Sequence, residues 1–323
     1  MTSAAARPLV GLALGGGAAR GLAHVGVLRA LVREAIPIHI ITGTSMGAII
    51  GGAFAAGIPI DELERSVRTV LCSDEFRRNR LSFLRESKQQ RGGLLYSVKN
   101  LVRRGIFFGV SNMRPSFLAA EEFADSMEAI LPNVRIESMP IRFGAVTLDI
   151  ESAEEVLICS GELRSAAAAS SAIPGILPPV RLNGRSLIDG GWVDKIPVLP
   201  AFELGADVVI GVDITADLAS LNEYRKGVDI MVRANAIKDD TLVAFSRRLS
   251  DVLVQPDVGH IHWADFAAFH KCIENGDAAT MLRIEEIRGL LAREKWLSRV
   301  RTSQRKRLAR FHLDQQDRKL HIV

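Results

Sequence analysis

Apolar residues along the first sixty positions come in short bursts cut by glycine. Residues 9–14 form an apolar run that stops at Gly15, Gly16 and Gly17. From Ala19 to Arg33, Leu22, Val25, Leu28, Ala30 and Val32 then recur at mostly helical spacing. Pro37 interrupts, residues 38–42 give a second, isoleucine-rich run, and Gly43-Thr44-Ser45-Met46-Gly47 leads into an alanine- and glycine-rich segment ending near Gly57. The pattern is strand, loop, helix, strand, tight turn, helix. Two parallel strands joined by a crossover helix form a right-handed unit, so both loops should emerge at the same carboxyl edge of a sheet.

Downstream the signal alternates. Residues 74–114 are basic and irregular, broken by Gly92, Gly93 and Gly105, and read as an insertion. A helix is expected over 117–131 after Pro115, strands near 141–148 and 155–159, and a small-residue helix over 165–172. Asn183-Gly184 is the preferred two-residue turn of a hairpin, placing extended arms within 178–189. Another strand covers 207–214, and a basic helix-like stretch runs over 290–313. The class is α/β.

Composition adds limits. A chain of 323 residues, 48% hydrophobic, can bury a full core. Cys72, Cys159 and Cys272 are odd in number and lack C-x-x-C spacing, which points to neither a disulfide framework nor a zinc site. Residues 1–20 resemble neither a secretory leader nor a membrane span, so the expected location is cytoplasmic, with peripheral membrane contact. The net charge of +4 hides an uneven distribution. Eleven basic residues between Arg65 and Arg104 face Asp74, Glu75 and Glu86, and a second basic run covers 295–310. Basic faces attract polyanions, anionic lipid among them. Nucleic acid is not expected as a partner, because stacked aromatics and helix-turn-helix patterning are lacking.

The candidate chemistry lies at the glycine turns. Residues 43–47 satisfy G-x-S-x-G, in which Gly43 and Gly47 relieve crowding around a strained turn that exposes the Ser45 hydroxyl. The loop from Gly15 to Gly21 fails as a dinucleotide fingerprint, with Arg20 where glycine is needed and Thr42 and Gly43 where an acid is needed. It fails as a P-loop because Gly21-Leu22-Ala23 replaces Gly-Lys-Ser/Thr. An oxyanion hole remains, formed by amides around Gly16, Gly17 and Ala18. For the base, Asp189 leads, since it ends a strand and is followed by Gly190 and Gly191. A triad of Ser45, Asp189 and His260 or His262 is the rival, and its elbow would normally follow more strands. His24 reads as a packed histidine. His260, His262, Asp265 and His270 match no metal-site spacing, and no cofactor is expected.

These motifs, with Ala169-Ser170-Ser171-Ala172-Ile173-Pro174 and His24-Val25-Gly26-Val27-Leu28, resemble the patatin-like phospholipases, in particular the bacterial branch similar to the catalytic domain of neuropathy target esterase. The resemblance covers residues 9–202 and leaves 203–323 as a C-terminal extension that completes the sheet and adds helices and a basic tail. It implies a three-layer patatin-like fold with a largely parallel central sheet flanked by helices. It also implies a Ser45–Asp189 dyad without histidine and an oxyanion loop spanning Gly15, Gly16, Gly17, Ala18 and Arg20. The implied activity is metal-free hydrolysis of fatty acyl esters in phospholipids or lysophospholipids. The sequence sets no oligomeric state.

Overall fold

The structure is a computed structural model that describes residues 8–72, 120–218, 227–292 and 320–323. The basic insertion at 74–114, and most of the helix-like stretch at 290–313, lie outside the described residues.

The first strand, β1 (Val10–Leu14), is wholly buried. A 3-10 turn (Ala18–Leu22) leads from it into α1 (Ala23–Arg33). β2 (Ile40–Thr44) runs two residues further than its apolar pattern predicts and ends directly against Ser45, which opens α2 (Met46–Ala55). The sequence reading passes over α3 (Ile60–Cys72), although Leu63 and Val67 lie buried one turn apart.

Then follow α4 (Ala120–Ile130), β3 (Arg142–Asp149), β4 (Glu154–Ile158) and α5 (Leu163–Ser170). The hairpin is β5 (Val180–Leu182) and β6 (Arg185–Asp189), and its turn residues Asn183 and Gly184 both adopt positive φ, the signature of a type I′ turn. Next come α6 (Val198–Glu203), β7 (Val208–Val212), the long α7 (Gly227–Leu249), β8 (Val252–Val254), α8 (Phe269–Ala292) and β9 (Leu320–Ile322).

The nine strands among the described residues join one sheet. β1 pairs in parallel with β2 on one side and β7 on the other, β2 pairs in parallel with β3, and β7 with β8. Alternation along β1 sorts the core into two faces. Val10, Leu12 and Leu14 face the cluster built by α1, α2, α5 and α8, whereas Ala13 faces Val198, Phe202 and Val243 of α6 and α7. Helices therefore cover both faces of a largely parallel sheet, giving three layers.

The placement of β6 matters most. β3 pairs with β4 at 145–149, with β2 at 142–146 and with β6 at 147–149. A strand has only two edges, and β4, paired over 145–149, overlaps both β2 and β6 in register, so β2 and β6 share the other edge. β2 climbs that edge to Thr44, opposite Val146. β6 descends it antiparallel to Asp189, opposite Thr147. The carboxyl ends of the two strands meet head-on in one lane of the sheet.

Candidate active site

Ser45 sits at the junction where β2 breaks off. Its backbone adopts φ 55 and ψ −121, a conformation that side-chain-bearing residues rarely hold and that costs on the order of 1–3 kcal/mol. Packing enforces it. A Cβ at Gly43 would lie 2.4 Å from the Gly47 carbonyl oxygen, and one at Gly47 would lie 2.1 Å from that of Leu14, so both flanking positions admit glycine alone. The Ser45 amide donates to Ser170 Oγ at 3.0 Å, and Ser170 Oγ donates to the Val146 carbonyl at 2.6 Å. A buried hydroxyl from α5 thus ties the elbow to β3. The sequence motif contained Ser170 but gave no hint of this task.

Asp189 ends β6 and is 6% exposed. Burial pushes its carboxyl up to about 6, against the downward pull of hydrogen bonds from the Gly191 amide and the Ser45 hydroxyl and of the Lys195 charge. The Gly191 amide donates to Asp189 Oδ1 at 2.7 Å, and the Asp189 amide donates to the Ala172 carbonyl at 3.0 Å. Gly190 passes so close to β3 that a Cβ there would stand 2.3 Å from the Val146 carbonyl. The glycine pair after Asp189 lets the chain leave the lane without striking its neighbour.

The glycine loop lies beside the elbow, since β1 neighbours β2. Its amides divide into two groups. Gly15 donates to the Val212 carbonyl at 3.2 Å, Gly16 to the Lys195 carbonyl at 2.9 Å, Ala19 to the Trp263 carbonyl and Arg20 to the Gly17 carbonyl. The amides of Gly17 and Ala18 have no backbone acceptor recorded among the described residues, and Ala18 holds a positive φ of 47. His24 anchors the loop from below. Burial lowers its pKa to about 4, so it is neutral near pH 7, and its Nε2 lies 2.7 Å from the Gly15 carbonyl, to which the neutral ring donates. Arg20 turns its side chain inward, where burial lowers its pKa against the charges of Asp239 and Asp213, and its Nε has no partner among the described residues.

The histidines of the rival triad have other partners. His260 is engaged by Asp257 and Lys271, and His262 takes the Ala264 amide and lies against Trp263. Neither is among the groups acting on Asp189. Among the described residues no cluster of His, Cys, Asp or Glu gathers as metal ligands would.

A three-layer α/β sheet with a serine on a strained strand-to-helix elbow, facing a buried carboxylate, defines the class of architecture. The chain belongs to the patatin-like phospholipase family, whose pattern matches residues 12–202. It is 35% identical over 214 residues to an uncharacterized NTE family protein of Mycobacterium bovis, covering 66% of this chain and 51% of that protein. It is also 32% identical over 206 residues to a lysophospholipase of Emericella nidulans, covering 64% of this chain and 12% of that protein. The chain thus spans about half of the first relative and about an eighth of the second. Among solved structures, VipD from Legionella pneumophila aligns over 87% of this chain and 67% of its own, at 13% identity and a TM-score of 0.44.

Proposed function

We propose that this protein is a serine acyl-hydrolase that cleaves fatty acyl esters of phospholipids or lysophospholipids through Ser45 and Asp189. The observation that supports this reading is the head-on meeting of β2 and β6 on one edge of β3, which brings the Ser45 elbow and the buried Asp189 carboxylate to the same point of the sheet rim, close enough for Ser45 to act on the Asp189 pKa. A base with a pKa near 6 is ionised at neutral pH, yet far more basic than a free carboxylate near 3.9. Asp189 takes the Ser45 proton as the hydroxyl attacks the acyl carbonyl and passes it to the departing alcohol; it then takes a proton from the water that attacks the acyl-serine and returns it to Ser45 as the fatty acid leaves.

Charge growing on the carbonyl oxygen requires donors already in place. Within the loop from Gly15 to Arg20, the amides of Gly17 and Ala18 fit that task, whereas the bonds made by Gly15, Gly16 and Arg20 hold the loop in shape. Losing one such donor typically raises the barrier by about 3 kcal/mol. No step in this scheme calls for a metal or cofactor. The class of substrate is supported by the family and by the lysophospholipase among the relatives. Among the described residues no helix is long and apolar enough to cross a bilayer, and lipid would be reached through peripheral contact with an anionic membrane.

The test is release of fatty acid from a lysophospholipid carried in anionic vesicles, alongside turnover of a p-nitrophenyl ester. Ser45→Ala and Asp189→Asn should each lower both rates at least about a thousandfold, with the fold retained. Full turnover by either variant would overturn the assignment.

A further inference from the structure

The segment after Asp189 is pinned from three directions. Thr44 Oγ1 donates to the Asp194 carbonyl at 2.9 Å, Thr42 Oγ1 to the Pro197 carbonyl at 2.7 Å, and the Gly16 amide to the Lys195 carbonyl. Lys195 therefore has a fixed backbone between the glycine loop and β2. A single point, the position a Cβ would occupy on Gly191, lies 3.1 Å from Asp189 Oδ1 and 3.9 Å from Lys195 Cγ. The lysine stem thus flanks the same turn as the carboxylate. Its side chain is only 17% exposed, and its ammonium is bonded to Asp239 of α7. One residue earlier on that helix, Lys238 lies over the Trp192 ring at 4.5 Å.

We propose that the Lys195–Asp239 pair governs the protonation of Asp189, with Lys195 favouring the ionised base and Asp239 holding that influence in check. This rests on the assignment of Asp189 as the base. Ser45, Thr147, Ser170 and Ser171 are uncharged, and Asp194 directs its carboxylate to the Ile196 amide and Ser246. The Arg20 guanidinium faces Asp239 and Asp213 rather than Asp189. A cation near a buried carboxylate stabilises its charge, and a counter-anion on that cation cancels part of the effect. Removing one member or the other must therefore shift the base in opposite directions. Lys238 pairs with Asp239 at 3.8 Å and Arg20 feels its charge, so removing Asp239 frees cations that act in the same sense as Lys195.

The experiment follows kcat/KM for p-nitrophenyl butyrate from about pH 4.5 to about pH 9 in the full chain, where the acidic limb reports the base of the free enzyme. In the wild type the limb should centre near pH 6. Lys195→Met should move it up by about one unit, Asp239→Asn should move it down, and Lys195→Arg should restore the wild-type position. A limb that stays in place, or that moves the same way in Lys195→Met and Asp239→Asn, overturns the proposal. If Lys195→Met does not fold, Asp239→Asn, on a partly exposed side chain, still decides the sign. Asp189→Asn belongs in the same series. If it retains activity, the base assignment itself falls, whereas if it is dead and the other limbs stay put, only the Lys195–Asp239 proposal falls.

Discussion

Two residues at the meeting of β2 and β6 are held in states an isolated chain would avoid. Ser45 carries a positive φ, and Asp189 carries a carboxyl raised from 3.8 to about 6 because it is buried. Between those two values the native chain holds more protons than the unfolded one, so stability falls as pH rises through the window and stays lower above it. The shift corresponds to about 3 kcal/mol at neutral pH. Asp189→Asn should accordingly lose activity and gain stability together. A thermal melt at about pH 8 should rise by on the order of 5 °C, with the gain shrinking toward pH 4. An unchanged melt at high pH would mean that the carboxylate is better solvated than its burial implies.

At the scale of elements, close approach explains glycines that local pattern leaves unassigned. α1, which follows the glycine loop, crosses α8 at Gly26 and Gly276. A Cβ on Gly26 would lie 1.9 Å from the Ile273 carbonyl oxygen, and one on Gly276 would lie 2.0 Å from that of Ala23. These are backbone contacts, which no rotamer change relieves. Gly26→Ala should destabilise the protein by about 3 kcal/mol or more, measured by denaturant unfolding. Esterase activity per folded molecule should also drop, since α1 carries His24 and His24 holds the Gly15 carbonyl. A fully stable variant would show that the two helices can part without consequence. The ion pairs of Asp277 with Arg29 and Arg33 span the same crossing, but they are partly exposed and add little beside the apolar contact.

At the scale of the whole molecule, the family match ends at residue 202, yet the sheet does not. β7 lies between β1 and β8, and its Val212 carbonyl accepts the Gly15 amide. A chain ending at residue 202 would open the long edge of β1 and strip away α7 and α8. It should fail to give a cooperative melt and should aggregate on size-exclusion chromatography. A monomeric, cooperatively folding fragment would contradict this.

The sequence by itself carried the local grammar. Runs of apolar residues ending in glycine give strands that stop at a rim. Gly43 and Gly47 mark the elbow at Ser45, and Asn183-Gly184 marks the hairpin, because such turns depend on near neighbours. α3, β8 and β9 escaped, the strands because three-residue segments carry little periodicity. Register belonged to the tertiary structure. That β6 descends the same edge of β3 that β2 climbs, that Ser170 holds the elbow, and that Gly15 and Gly16 spend their amides on Val212 and Lys195 are all facts about residues far apart in the chain. No spacing along the chain encodes which strand ends face each other. That is fixed only when the two faces of one sheet are buried together.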